Sequence, residues 1–280
     1  DVCSSDLSIL ITQGFRVGSY TSPHMHKYNE RIKVNCIPVS NNKIIEAFEK
    51  IESVRCNEPL TYFEFGTLAA LDILSNSYID YLILEVGLGG RLDAVNVIDP
   101  DGSIITNIGL DHMDWLGDDR EKIGYEKAGI MRDNIPTVYG EKDPPNSIKD
   151  TAFDKDTDLI LMGEDYIFEN SSNGLWNWQG RFNRRGNLDS SYIKGSHQVK
   201  NVSAVLSLLE SINYKELPSE KIINIAMQGI HLEGRLDQRF YLERNWLFDV
   251  AHNHDSASIL GDFLSKQEFR KCVFIFGIMS

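Results

Sequence analysis

The sequence predicts an α/β protein, a mostly parallel sheet flanked by helices, followed by the start of a smaller α/β domain. Three observations predict it. Short, almost wholly apolar runs at 81–86 and 103–108 suit strands buried on both faces of a parallel sheet. Segments with helical spacing lie between such runs and carry their own start signals, among them Ser40 and the Thr61-x-x-Glu64 pattern. Finally, ionisable residues collect at the ends of the runs, Glu85 next to the end of the first and Asp111-His112 with Asp114 after the second. Those are the places where open α/β sheets bind ligands.

The first element is the least regular. Residues 1–7 show no clear periodicity, and the apolar run from Ile9 reads as the tail of a helix whose beginning is missing, with Gly14 as its C-cap. A short strand follows at 15–20. Thr21-Ser22-Pro23-His24 then makes a loop whose hydroxyls could ligate Mg²⁺ or donate to phosphate, or could simply form a turn before proline. His24 and His26 make an H-x-H pair with no third ligand nearby in the sequence. An extended segment at 32–39 leads to Ser40, which caps a helix bearing Ile44, Ala47, Phe48, Ile51 and Val54 on one side.

Thr61 and Glu64 form a capping box at the head of the next helix, and capping alone explains both residues. Phe63 and Phe65 read either as core or as a platform for a flat ring. After the 81–86 strand come Gly87, Gly89 and Gly90. Their spacing is not G-x-G-x-x-G and Arg-Leu-Asp-Ala follows, so this is no dinucleotide fingerprint. A tight turn that brings backbone N–H groups close to a ligand remains open.

Asp119 starts a helix containing Glu126 and Lys127, and pattern alone makes Lys127 a solvated surface charge. A strand at 136–139, a polar loop or linker at 141–158, a strand at 158–162 and short β segments through 164–192 come next. Helices follow at 198–209 and 219–228. Gly234-Arg235 is either a hinge with a phosphate-facing arginine or a surface turn. A last β-α-β unit comprises a strand at 246–250 ending in Asp249, a loop at 251–253, a helix at 254–266 and a strand at 272–277.

Composition limits the function. With 28 basic and 41 acidic residues the net charge is −13, which argues against nucleic-acid binding but leaves room for an anionic substrate in a local basic or Mg²⁺-bearing pocket. No run approaches the roughly 18 apolar residues of a membrane span. The four cysteines show no C-x-x-C spacing and read as reduced thiols of a cytoplasmic protein.

Several long segments, in order, carry a resemblance. They are Val-Gly-Ser-Tyr-Thr-Ser-Pro-His (17–24) with Asn-Glu-Arg-Ile (29–32), Thr-Tyr-Phe-Glu-Phe (61–65) and Leu-Glu-Val-Gly-Leu-Gly-Gly-Arg-Leu-Asp-Ala (84–94). Ile-Gly-Leu-Asp-His-Met-Asp-Trp-Leu-Gly (108–117), Glu-Lys-Ala-Gly-Ile (126–130), Gly234-Arg235 and Asp-Val-Ala-His-Asn (249–253) complete the set. From about residue 8 onward the chain resembles the folylpolyglutamate synthase/dihydrofolate synthase family of the ATP-dependent Mur ligase superfamily.

The resemblance implies a P-loop-NTPase-like central domain over 1–236 and the beginning of a Rossmann-like, glutamate-ligase domain over 237–280. It implies a ligase that phosphorylates the carboxylate of a dihydropteroate or folate with ATP and lets the amine of L-glutamate attack the acyl phosphate. Phosphoryl transfer is largely positioning plus charge neutralisation, which agrees with this residue set. By the family pattern Ser22, Glu85 and His112 hold Mg²⁺. Lys127 is the lysine the family carbamylates, and His252 has a catalytic place near the nucleotide. Asn201, Arg235 and Asp249 contact ATP; Thr61, Tyr62, Phe63, Glu64, Leu92, Asp93 and Ala94 line the pteroate pocket. The implied protein is a cytoplasmic monomer without nucleic-acid or membrane partners.

Two departures bear on this. The family's G-x-x-G-K-S/T loop should precede the first helix, yet the only glycines before Gly87 are Gly14, Gly18 and Gly66, none followed by Lys-Ser/Thr. The second domain ends after about two strands. The expectation is a stretch of the family fold that lacks the P-loop and most of the C-terminal domain, and that is catalytically silent by itself. Another Mur-type amino-acid ligase and a nucleotide-dead binding module are the competing readings. The Thr-Tyr-Phe-Glu-Phe segment and the Leu-Asp-Ala after the glycine turn favour pteroate over a nucleotide-sugar.

Overall fold

The computed structural model describes residues 2–110, 113–171, 174–191, 196–213, 217–230, 233–268 and 271–277. The chain forms two compact units, up to residue 230 and from 231 onward.

The first unit opens with helix α1 (Val2–Thr12), which runs through the stretch expected to be irregular. Val2, Ser5, Leu7, Ile9 and Leu10 are buried, because α1 packs against two later helices, α7 (Ser196–Asn213) and α8 (Glu220–Gln228). Packing overrides weak local periodicity here. Strand β1 (Val17–Tyr20) follows. The segment expected to be singly extended is a hairpin of β2 (Ile32–Val34) and β3 (Ile37–Pro38). Its turn residues Asn35 and Cys36 have φ of 49° and 64°, the left-handed pair of a two-residue hairpin.

Helix α2 (Asn41–Val54) starts at Ser40, whose hydroxyl accepts from the Lys43 amide, and buries Ile44, Ala47 and Ile51. Val54, expected on that side, is 68% exposed at the last turn. Helix α3 (Tyr62–Ser75) begins at the predicted Thr61–Glu64 capping box. Strand β4 (Tyr81–Leu84) pairs in parallel with β1, Ser19 opposite Ile83, giving a sheet of order β3-β2-β1-β4. Helices α2 and α3 share a core with that sheet through Tyr20, Ile32, Ile44, Ile51, Ala69, Ala70 and Leu74.

The expectation of burial on both faces fails for β4, where Leu82 is 39% exposed, and holds only in part for the 103–108 run, which is a strand over 103–105 with Ser103 and Ile105 buried and Ile104 half-buried. Strands β5 (Ser103–Ile105), β6 (Thr137–Tyr139) and β7 (Leu159–Leu161) form a second, wholly parallel sheet in which all three β6 residues are buried. Helix α5 (Arg120–Ala128), capped by Asp119, and helix α6 (Asn146–Asp154) cover one face; they follow the short α4 (Met113–Leu116). Helix α6 lies inside the segment expected to be a loop. Its prolines precede the helix, Pro145 as the N-cap residue, and Ile148 and Ala152 anchor it. The other face meets α7 through Val138, Ile160, Val202 and Val205. An antiparallel sheet of β8 (Ile167–Asn170), β9 (Leu175–Gln179) and β10 (Arg184–Asp189) closes this core with Trp176 and Trp178.

In the second unit β11 (Asp237–Tyr241) and β12 (Arg244–Phe248) make a hairpin, followed by α9 (His254–Ser265). Strand β11 was not expected, since its turn residues Leu242 and Glu243 adopt φ of 49° and 57°, which neither favours. The strand expected at 272–277 pairs with no strand among the described residues.

Candidate active site

The first unit gathers its chemistry at the exits of β1 and β4. These strands lie side by side in register, so the residues just beyond them, Ser22 and Glu85, meet. The Glu85 amide donates to the Tyr20 carbonyl at 2.9 Å, continuing the ladder one residue past β4. The Ser22 amide donates to Glu85 Oε2 at 2.7 Å, a charge-assisted bond that fixes the carboxylate next to the serine. Cys3 near the start of α1 lies within electrostatic reach of the same carboxylate. Burial pushes its thiol up, and Glu85 and Asp6 add to the rise.

The loop that carries Ser22 is braced from within. The Thr21 amide donates to the Arg31 carbonyl at 2.8 Å and closes the loop at its base. Glu30 accepts from the amides of Met25, His26 and Lys27 at 2.6–3.3 Å. Burial would raise the Glu30 carboxyl, and those amides outweigh it and hold the group low. Buried Arg31 donates from Nε to His24 Nδ1 at 2.8 Å and lies over the rings of Tyr28 and Tyr62. His24 is therefore an acceptor for Arg31 rather than half of a metal-binding pair with His26. Among the described residues no group of three His, Cys, Asp or Glu side chains is placed to hold a metal. His112, expected as a third ligand, and Asp111 lie outside the described residues.

The expected ring-binding residues stand on the two flanking segments. Thr61 Oγ1 accepts from the Glu64 amide at 3.2 Å and Glu64 Oε2 from the Thr61 amide at 2.7 Å, so both are engaged as a capping box. Tyr62 is exposed, while Phe63 is half-buried and stacks on Tyr20 with ring centroids 5.8 Å apart. Phe63 also explains Gly87: a Cβ there would stand 2.7 Å from Phe63 Cζ, so only glycine lets the turn pass under the ring. Asp93 closes that turn, with Oδ2 accepting from the amides of Gly87 and Leu88 at 3.0 and 2.9 Å. Its Oδ1 accepts from Val95 at 3.0 Å and caps the short 3-10 turn that starts at Ala94. Leu92 is 79% exposed at the tip. The turn-closing role of Asp93 was not read from sequence, although Asp six residues after a glycine and immediately before a helical turn is its signal.

Lys127 is half-buried near the end of α5, and that helix end packs on the glycine turn. A Cβ on Gly90 would lie 2.9 and 3.0 Å from the carbonyl oxygens of Glu126 and Lys127. Asn201 sits on α7, where its Nδ2 faces Gln198 Oε1 at 3.5 Å. The preceding residue, Lys200, pairs with Glu141 at 3.1 Å. Buried Gln198 and the Glu141 pair were not singled out in the sequence.

The second unit brings its own expected residues together. The Val250 amide donates to the Gly234 carbonyl at 2.9 Å, joining the Gly234-Arg235 turn to the exit of β12. Asp249 accepts from the amides of Leu236 and Ala251, both at 2.8 Å, while Arg235 is exposed. His252 Nδ1 lies 2.8 Å from the Val250 carbonyl, so that nitrogen carries the proton.

Comparison with known proteins gives the family. Residues 50–209 match the family model of the Mur ligase middle domain. The chain is 38% identical over 278 residues to the dihydrofolate synthase/folylpolyglutamate synthase of Buchnera aphidicola subsp. Schizaphis graminum, covering 99% of this chain and 65% of the relative. Among solved structures it is similar to the bifunctional folylpolyglutamate synthase/dihydrofolate synthase of Yersinia pestis complexed with AMPPNP and Mn ion. There the TM-score is 0.86 and the identity 39%, over 95% of this chain and 62% of that one. It is likewise similar to E. coli FolC in complex with DHPP and ADP, with a TM-score of 0.87 and 36% identity over 96% and 63% of the two chains. The chain thus spans somewhat under two thirds of the length of these relatives.

Proposed function

Because this chain belongs to the Mur ligase family through its middle domain, we propose that the protein is an ATP-dependent ligase that joins a dihydropteroate or folate carboxylate to the amine of L-glutamate. The carboxylate oxygen attacks the γ-phosphorus of ATP and ADP leaves. The glutamate nitrogen then attacks the acyl phosphate carbon, phosphate leaves, and an amide forms.

The observation that carries this reading is the pairing of two chemistries at neighbouring strand exits. Ser22 is held by its amide against the Glu85 carboxylate, and beside them the Phe63 ring overlies a glycine turn closed by Asp93. Hydroxyl and carboxylate oxygens suit Mg²⁺, and these two residues fit as its holders with His112 as the third. Bound there, Mg²⁺ would supply charge neutralisation on the transferring phosphoryl group. The protein's own part is placement. The Ser22 amide orients the Glu85 carboxylate, Phe63 offers a ring edge or face to a pteridine, and Lys127, which we take to be carbamylated, is presented beside the glycine turn.

For the nucleotide we assign Asn201 within the first unit. Arg235, Asp249 and His252 in the second unit, which the loop pairing there brings together, carry the same assignment. We assign Thr61, Tyr62, Glu64, Leu92 and Ala94 to the acceptor's surroundings, and the protein to the cytoplasm as a monomer. Among the described residues no helix is long and apolar enough to cross a membrane. The test is calorimetric titration of dihydropteroate into the full-length gene product and its Phe63→Ala variant. The reading expects affinity to fall by about tenfold or more, the scale of losing one stacked ring. Equal affinities would remove Phe63 from the acceptor site.

A further inference from the structure

Arg91 is bound by both its main chain and its side chain to a single residue, the one immediately before Lys127. Its amide donates to the Glu126 carbonyl at 2.7 Å. Its guanidinium reaches the Glu126 carboxylate with Nη2 at 2.9 Å from Oε1 and Nε at 3.2 and 3.3 Å from the two oxygens. The same guanidinium lies over the ring of Tyr125, 5.5 Å from its centroid. On the far side a Cβ at Gly129 would fall 2.2 and 2.3 Å from Arg91 Cβ and Cα, so the helix end is pressed against the arginine backbone.

Asn96 extends the contact, donating to the carbonyls of Arg91 and Gly129, both at 3.2 Å. Arg132 in turn donates to Asn96. The glycine turn and the end of α5 are therefore one braced piece, with Lys127 inside it.

Magnitude decides what the ion pair is for. Arg91 and Glu126 side chains are 41% and 21% exposed, and pairs so exposed contribute little to stability. The backbone bonds and the Gly129 packing would hold the two segments together without it. What the planar fork adds is direction, since it fixes the rotation of α5 about the turn and hence where the adjacent side chain emerges. We infer that the Arg91–Glu126 pair is a positioning device that sets the direction in which the Lys127 side chain leaves the end of α5. The importance of Lys127 itself rests on the ligase reading above.

The experiment labels lysines of the full-length gene product with acetic anhydride in CO2-free buffer, where a carbamate on Lys127 reverts to the free amine, and follows Lys127 and Lys122 by mass spectrometry; ligase turnover is measured separately with bicarbonate present. The variants are Glu126→Gln, which keeps shape and removes charge, Arg91→Lys, which keeps charge and removes the fork, and the exchange Arg91→Glu with Glu126→Arg. In both single variants Lys127 labelling should change by about two- to fivefold, the scale of an exposed ion pair. Lys122, earlier on the same helix, should stay unchanged, and the exchange should restore the Lys127 rate. Turnover should fall by about tenfold or more in the single variants with KM for ATP little altered, since misplacement acts on the chemical step. Unchanged Lys127 labelling, or a rise shared equally by Lys122, overturns the inference and leaves the pair a mere brace of the helix. Absence of turnover in the unmutated protein would sink the ligase reading, while the labelling ratio would still judge the positioning role.

Discussion

The amide of Ser22 donates to Glu85 Oε2 at 2.7 Å, tying the residue beyond β1 to the residue beyond β4 across a parallel pair. Sheet register alone brings them to the same level. The bond then turns a carboxylate that would be costly at a strand exit into an oriented acceptor.

Glu85→Ala should therefore leave folding intact and abolish ligation. The lost hydrogen bond is worth about 1 kcal/mol of stability. Removing a charge from the reacting centre should lower turnover by about a thousandfold. Phosphate release and thermal melting, measured together, check both halves.

Thr61→Ala should cost about 1 kcal/mol, the usual cost of an N-cap, whereas Thr61→Ser should retain the stability because its hydroxyl can still accept from Glu64. Urea denaturation distinguishes them. Since the same helix end is assigned to the acceptor, the alanine variant should also raise KM for dihydropteroate more than KM for ATP.

Two glycine-to-alanine changes should differ in sign. At Gly129 the new methyl meets Arg91 backbone and should cost about 1–3 kcal/mol by overpacking. At Gly261, in the middle of α9 with nothing within 4 Å, helix propensity should gain about 0.5–1 kcal/mol. Denaturant melts of each variant give the comparison.

Asp6 should make stability fall with rising pH. Burial raises its carboxyl from the ordinary 3.8 to about 8, so the folded chain holds it neutral while an unfolded chain ionises it. The favourable contribution is fully present below pH about 4 and is lost as pH rises through about 8. Asp6→Asn removes that titration. The difference in Tm between Asp6→Asn and the unmutated protein should grow in favour of the variant from pH 5 to pH 8.5 and level off above. A difference independent of pH would place Asp6 in water.

Much of the arrangement is legible in the sequence where local rules and tertiary packing agree. Ser40, Thr61 and Asp119 each cap the helix they announce. The hydroxyls at 21–22 and the carboxylate at 85 sit where strand exits put them. What was hidden depends on partners far away in sequence. Helix α1 extends over an unpatterned start because α7 and α8 cover it, and α6 hides in a proline-rich, charged segment anchored by Ile148. The Arg91–Glu126 bond spans 35 residues, and no spacing rule reaches that far. The two hairpins turn at Asn35-Cys36 and Leu242-Glu243, where only backbone geometry reveals the left-handed pair.

The most direct test is ligation itself. Full-length gene product is incubated with ATP, Mg²⁺, L-glutamate and dihydropteroate or a folate, with each component omitted in turn. The account predicts phosphate release that requires all four, matched by a product heavier than the acceptor by one glutamate less water. Phosphate release from well-folded protein that is indifferent to the pteroate or folate, or no release at all, would contradict it.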